Sequence, residues 1–293
     1  MNNNKQKIAV VIVTYNRIEE LKKTITAVYN QGIDYTNIYV INNNSKDATK
    51  ETLAINYPDI NAIHLQINIA SAGGFAKGME VAYEQGYDWI WLFNDDSRPV
   101  KGTLESFIHY LQHDSNIGLL KIANTNENNQ AVLLYWNGVR KPKYVALSNE
   151  IVKTDLITFD GCVISRKLID KIGYCDPLYF MGTYEFDYCL KAKDVGFDIY
   201  TLPNGLIEDG KLGGKDGTPP WRQYYNTRNH LWLAIDRKSF KTFKGWFVRE
   251  LKYTYAILFF GNKKKERLVF KMRAIRDAVL NRRGKIYNPE DYS

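Results

Sequence analysis

Apolar and polar positions along the first 120 residues alternate between two rhythms. Ile8–Val13, Ile38–Ile41, Ala62–Leu65 and Trp89–Phe93 are short unbroken apolar runs, which read as buried strands of a parallel sheet. Between them, apolar residues recur at helical spacing. Leu21, Ile25 and Val28 share one helix face, with Asn16 as the expected N-cap, Glu19 at the capping-box position and Gly32 as the stop. Phe75–Glu84 and Thr103–Gln112 are the next predicted helices, the latter with Phe107, Ile108 and Leu111 as its buried stripe. Strands and helices in this alternation predict βαβ units, hence an α/β fold with a mostly parallel sheet covered on both faces.

A polar or glycine-rich segment follows each strand: Thr14–Arg17, Asn42–Asp47, Asn68–Gly74 and Asn94–Ser97. In an open parallel sheet the carboxyl ends of the strands share one edge, so these segments converge on one crevice. Asp95 and Asp96 offer hard carboxylate oxygens suited to Mg2+ or Mn2+, and a hard cation with few protein ligands also binds substrate phosphates. Taken alone, such an Asp pair is also an ordinary turn or helix cap. Asn68 and the small residues Ser71-Ala72-Gly73-Gly74 let the backbone approach a bulky anionic ligand. Neither G-x-G-x-x-G nor G-x-x-x-x-G-K-[ST] occurs, which removes the usual support for dinucleotide redox chemistry and P-loop hydrolysis.

Composition narrows the class without naming the reaction. With 45% hydrophobic and 25% charged residues, the 293-residue chain has globular usage and the length for one large α/β domain with an appendage. Cys162, Cys175 and Cys189 are odd in number and lack a Cys-x-x-Cys pair, which argues for a reducing compartment and against a structural zinc site. A polar start at Met1–Lys7 and apolar runs far shorter than a membrane span predict neither a secretory leader nor a transmembrane helix. The net charge of +8 is unevenly placed: Arg237–Lys285 holds 16 Lys or Arg against 3 acids, a local +13 that leaves −5 for the rest. Trp246, Phe247, Tyr253, Tyr255, Phe259 and Phe260 lie among those cations, as in an interfacial helix. The expected partner of this segment is an anionic membrane surface; packing on the rest of the chain or on a second subunit is the competing expectation. No nucleic-acid motif accompanies the charge. His109 and His113, four apart on a predicted helix, lack the accompanying Glu of a metal site and read as surface residues.

Taken in order, several motifs resemble family 2 glycosyltransferases of the GT-A fold, over Val10 to His230. Val11–Arg17 resembles the opening strand and turn, and Val40–Asp47 the V-D-N-x-S-x-D nucleotide loop. Asn68–Phe75 resembles N-x-G-x-A-G-G-F, and Trp89–Asp96 the strand leading to D-D-D or DxD. Together with Tyr224-Tyr225-Asn226-Thr227-Arg228-Asn229, the A-G-G-F segment is similar to bacterial galactofuranosyl- and rhamnosyltransferases.

The resemblance implies a Rossmann-like GT-A domain over residues 1–220 and a basic, aromatic helical extension over 221–293. It implies donor contacts from Thr14, Tyr15, Asn16, Arg17, Asn42, Asn44, Asn68, Gly73, Gly74, Asn94 and Asp95. Asn42 replaces the Asp that usually reads the base, and Asn94 replaces the first Asp of D-D-D, leaving Asp96, with Asp95, as the metal ligand for Mn2+ or Mg2+. Glu208 or Asp209 stands where many relatives place a metal-binding His. Tyr184–Lys191 resembles the start of the family's acidic helix, with Glu185 as general base and Asp187 as the fallback; alone, both are acids in the first turn of a helix running to about Val195.

The implied function is inverting, metal-dependent transfer of a galactofuranose- or rhamnose-type sugar from a nucleotide diphosphate. The acceptor would be a glycan or lipid-linked saccharide of a cell-surface polysaccharide. The expected location is the cytoplasm, peripheral to the inner face of the cell membrane, with homo-oligomerisation as a further expectation. The competing reading takes Asn42 and Asn94 as marks of a non-catalytic nucleotide- or glycan-binding scaffold. Gly210–Pro220 reads as a loop beside the site.

Overall fold

A computed structural model describes residues 6–112, 116–204, 207–209 and 219–288, the short strand at 207–209 by its backbone. Its elements are β1 (Ile8–Thr14), α1 (Ile18–Tyr29), β2 (Ile38–Asn42), α2 (Thr49–Asn56), β3 (Asn61–His64), α3 (Ala70–Glu84), β4 (Trp89–Asn94), β5 (Ser97–Pro99) and α4 (Thr103–Leu111). There follow β6 (Ile117–Ile122), β7 (Ala131–Trp136), β8 (Arg140–Val145), β9 (Val152–Lys153), β10 (Cys162–Ser165), α5 (Arg166–Ile172), α6 (Tyr184–Asp194), β11 (Asp198–Leu202) and β12 (Ile207–Asp209). Helices α7 (Pro220–Asp236), α8 (Phe240–Phe260) and α9 (Lys264–Val279) come last.

The main sheet has strand order β3-β2-β1-β4-β10-β6-β11-β9. Its first four strands are parallel, as the sequence pattern predicts, and β6 runs parallel to β11. Strand β10 lies antiparallel between β4 and β6. The alternation within β1 shows why both faces are covered. Ala9, Val11 and Val13 enter one core layer beneath α3 and α6, while Val10 and Ile12 enter the other beneath α1 and α4. All five are buried, so the strand reads as a continuous apolar run.

Two expectations about helix starts need correction. Asn16 does not cap α1: its φ is +54° and its side-chain Oδ1 accepts from Lys46 N at 2.7 Å, tying the loop after β1 to the loop after β2. Glu19 forms no capping box and pairs instead with Lys22 at 2.8 Å. Helix α3 begins at Ala70 rather than at Phe75, so Ser71-Ala72-Gly73-Gly74 is helical and not a loop. Neighbouring amides start it: Asn68 Oδ1 accepts from Ala70 N, and Asn43 accepts from Ile69 N while donating to Ala70 O. The glycines serve close packing. A Cβ on Gly74 would lie 2.6 Å from Val13 Cγ1, and one on Gly78 would overlap Val11 Cγ1.

This close approach of α3 to β1 yields a stability prediction. Gly78→Ala is expected to cost roughly 1–3 kcal/mol through overpacking, although alanine is the better helix former. Urea denaturation checks it; an unchanged or raised midpoint would show that Val11 yields without strain.

Candidate functional site

The loops after β1 and β4 meet where the strand order reverses, at the carboxyl edge of the parallel strands. A cleft of about 800 Å³ opens there. Thr14, Tyr15, Arg17, Asn43, Asn68, Asn94, Asp95 and Asp96 line it, as do Lys121, Asn124, Arg140, Asp160, Glu185, Trp221, Arg222 and Asn226 from later in the chain.

Asp95 organises the loops after β1 and β4. It is buried, and its Oδ2 accepts from Thr14 Oγ1 at 2.8 Å and from Tyr15 N at 3.3 Å. Burial pushes its carboxyl up to about 6, against the lowering effect of Thr14 and Arg17. Its carbonyl accepts from Thr24 Oγ1, which locks the loop onto α1. Asp96 is more open, and Arg17 Nη1 lies 2.5 Å from its Oδ2 and 3.5 Å from Asp95 Oδ1. The two carboxylates therefore already sit against a positive charge. That donor set fits a hard divalent cation whose remaining ligands are phosphate oxygens and water. Among the described residues no cluster of three His, Cys, Asp or Glu side chains adds to them. The backbone register sets Glu208 opposite Arg98 and Asp209 opposite Ser97 on the strand just after Asp96.

Glu185 lines the same cleft from the first turn of α6. Its Oε1 accepts from Phe159 N at 2.8 Å. Burial raises its carboxyl from the ordinary 4.5 to about 7; Asp160 adds repulsion, while the Phe159 amide, Lys121 and Arg140 pull the other way. Lys121 is buried and its Nζ lies 3.1 Å from Asp160 Oδ2. A carboxylate so poised takes up and releases a proton near neutral pH.

Other candidates lie elsewhere. Asn42 is buried, accepting from Ser45 N at 2.9 Å and donating to His64 Nδ1 at 3.0 Å, so it shapes the turn after β2 without lining the cleft. Asn44, at φ +63°, accepts from Lys46 Nζ. Asn16, Gly73 and Gly74 also lie off the cleft lining. Asp187 is buried against Lys191 at 2.7 Å. His109 is exposed, whereas His113 and residues 210–218 of the loop read as Gly210–Pro220 lie outside the described residues.

Sequence reasoning passed over Asn43, Lys121, Arg140, Asp160, Trp221, Arg222 and Asn226. Lys121 carried a legible signal, a cation inside the apolar run Ile117–Ile122. Asp160 precedes a strand rather than following one, and attention to strand ends alone misses it.

The Tyr224–Asn229 motif turns out to be a clamp. Arg228 is fully buried, its Nη1 donating to Gly284 O at 2.8 Å, its Nη2 to Tyr179 O at 3.3 Å and its Nε to Asn229 Oδ1 at 2.9 Å. Asn229 Nδ2 reaches the carbonyls of Tyr179, Met181 and Gly182 at 2.9, 2.7 and 3.2 Å. These are the residues leading into α6 and Glu185, and two of the loop's non-glycine residues, Phe180 and Thr183, have positive φ. Nearby His230 donates through Nε2 to Gly138 O at 2.9 Å, and burial drives its pKa down to about 3, so it stays neutral.

A doubly covered sheet of this order, with an acidic turn at the switch point and a further carboxylate lining the same cleft, is the architecture of a GT-A glycosyltransferase. The chain belongs to glycosyl transferase family 2, whose sequence model matches residues 9–173. Over 248 residues it is 31% identical to galactofuranosyltransferase GlfT1 of Mycolicibacterium smegmatis, covering 81% of this chain and 80% of that one. It is 25% identical over 254 residues to dTDP-rhamnosyl transferase RfbF of Shigella flexneri, covering 80% of each. Among solved structures it resembles the mannosyltransferase PcManGT of Pyrobaculum calidifontis in complex with GDP-Man and Mn2+. That match has a TM-score of 0.57 at 15% identity and covers 97% of this chain and 77% of that one.

The clamp generates a prediction. Asn229→Ala leaves the carbonyls of Met181 and Gly182 without their donor and is expected to lower the unfolding free energy by roughly 2–4 kcal/mol. Equilibrium urea unfolding measures it, and a loss below about 0.5 kcal/mol would mean that water replaces the amide.

Proposed function

We propose that this glycosyltransferase moves a galactofuranose- or rhamnose-type sugar from a nucleotide diphosphate to a hydroxyl of a glycan or lipid-linked saccharide, with inversion, for cell-surface polysaccharide. The observation that carries the reading is the pairing, across one cleft, of the Asp95–Asp96 turn with a Glu185 carboxyl raised to about 7. The sugar class is supported by the relatives named galactofuranosyl- and dTDP-rhamnosyl transferase.

In this reading Thr14, Tyr15, Arg17 and Asn68 bind the nucleotide diphosphate. Asp96, supported by Asp95, would hold Mn2+ or Mg2+, and such a cation would supply neutralising charge to the departing diphosphate. Ionised Glu185 accepts the acceptor's hydroxyl proton as that oxygen bonds to the anomeric carbon. The bond from that carbon to the diphosphate oxygen breaks on the opposite face, through an oxocarbenium-like state. The Phe159 amide fixes which Glu185 oxygen is free to receive the proton.

Two measurements test this assignment. Only ionised Glu185 serves as base, so kcat/KM should fall about tenfold per unit as pH drops below about 7. Glu185→Gln should abolish that limb and slow the chemical step by roughly 10² to 10⁴, leaving donor binding nearly unchanged. If Glu185→Gln keeps its activity and Asp187→Asn loses it, the base lies two residues further on. For the metal, Asp96→Ala is expected to reduce turnover by at least about a hundredfold. Full activity in excess chelator would remove the cation from the mechanism.

A further inference from the structure

Helix α8 presents one face to the protein and leaves the other bare. Thr242, Trp246, Glu250 and Ile257 recur at helical spacing and are buried. Trp246, one of the aromatics first read as interfacial, belongs to this inner set, donating to Thr227 O at 3.1 Å. On the opposite side Phe240, Phe247, Leu251 and Leu258 form one exposed stripe, and Val248, Tyr255 and Phe259 another beside it. The stripes end at a protruding tip, where Phe259 and Phe260 are 63% and 81% exposed, an arrangement water alone does not stabilise.

The charge around this face selects its occupant. Lys241, Lys244 and Lys252 flank the stripes, Lys263, Lys264 and Lys265 follow the tip, and all six are exposed. Residues 251–265 contain no acid. Two acids of α8 and α9 are engaged internally, Glu250 with Arg249 and Lys271, and Asp277 with Arg276 while accepting from Tyr224; Glu266, in the first turn of α9, is the one acid beside the six lysines. Apposing this face to the same face of a second copy would bring lysine against lysine. An anionic lipid bilayer answers both features, taking the aromatic tip among its acyl chains and the lysines at its headgroups. No helix among the described residues is long and apolar enough to cross a membrane.

We propose that the outer face of α8 and the α8–α9 turn dock this enzyme onto an anionic bilayer, with Phe259 and Phe260 inserted and Lys263–Lys265 at the surface. The proposal is independent of the donor chemistry. Flotation of the full chain with phosphatidylcholine vesicles, with and without one third phosphatidylglycerol, tests it. Binding is expected only with the anionic lipid and should weaken at high salt, each near-surface lysine adding up to about fivefold in affinity. Phe259→Ser with Phe260→Ser should weaken binding by about tenfold or more without shifting the melting temperature, since both rings are exposed in the free protein. Charge reversal of Lys263, Lys264 and Lys265 to Glu should remove the salt-sensitive part. Failure to float with anionic vesicles at low salt would overturn the proposal, as would binding indifferent to the serine pair. So would a dimer in sedimentation velocity that the serine pair converts to monomer, which would assign the face to a second copy.

Discussion

The site depends on a buried guanidinium and a buried amide bonding to backbone. Arg228 and Asn229 hold the carbonyls of Tyr179, Met181 and Gly182, in a loop where Phe180 and Thr183 sit at φ +65° and +70°. Left-handed backbone costs a side-chain-bearing residue roughly 1–2 kcal/mol, more when it is β-branched. The loop keeps this shape because α7 supplies donors that no turn of its own could. Glu185 follows directly, so the helix positioning the carboxylate is set by residues more than 40 positions later. The C-terminal helices thus help shape the cleft as well as forming an appendage to the sheet.

How far this was legible in the sequence follows from the range of the interactions. Strands β1, β2 and β4 could be read because each is a nearly unbroken apolar run, as burial on both faces of a parallel sheet demands, whereas β3, at the sheet edge, is only partly buried and offered a shorter signal. The convergence of Thr14, Arg17, Asn68 and Asp95 could be read because parallel order forces strand ends to one edge. Lys121 and Asp160 could not be placed. Asp160 reaches the cleft because β10 runs antiparallel between β4 and β6, which turns the residues preceding that strand toward the same edge, while Lys121 lies near the carboxyl end of β6, which the inserted β10 leaves running the same way as β4. Nothing local in Cys162–Ser165 announces its direction.

Residue type also misled where packing competes with binding. Gly74 and Gly78 suit a ligand-hugging loop and suit equally a helix pressed onto a strand; Val13 and Val11 decide the matter, and both lie on a strand some sixty residues earlier. Asn42 is polar at a strand end yet serves its own turn through Ser45 and His64, while its neighbour Asn43 reaches the cleft. The C-terminal aromatics divided in the same way. Trp246 had an acceptor within reach on α7 and went inward, whereas Phe259 and Phe260, beyond the end of any supporting element, did not.

The raised pKa of Glu185 has a thermodynamic counterpart. A carboxyl that ionises near 4.5 in the unfolded chain and near 7 in the folded one binds its proton more tightly when folded. The stability this contributes is complete below the unfolded value and is lost as pH rises through the folded one. Above neutrality the fold encloses an anion that solvent would hold more comfortably. The conditions in which the carboxylate is ionised are therefore those in which its surroundings resist the charge, so the fold is least favoured at the pH where the proposed base would be ready to act.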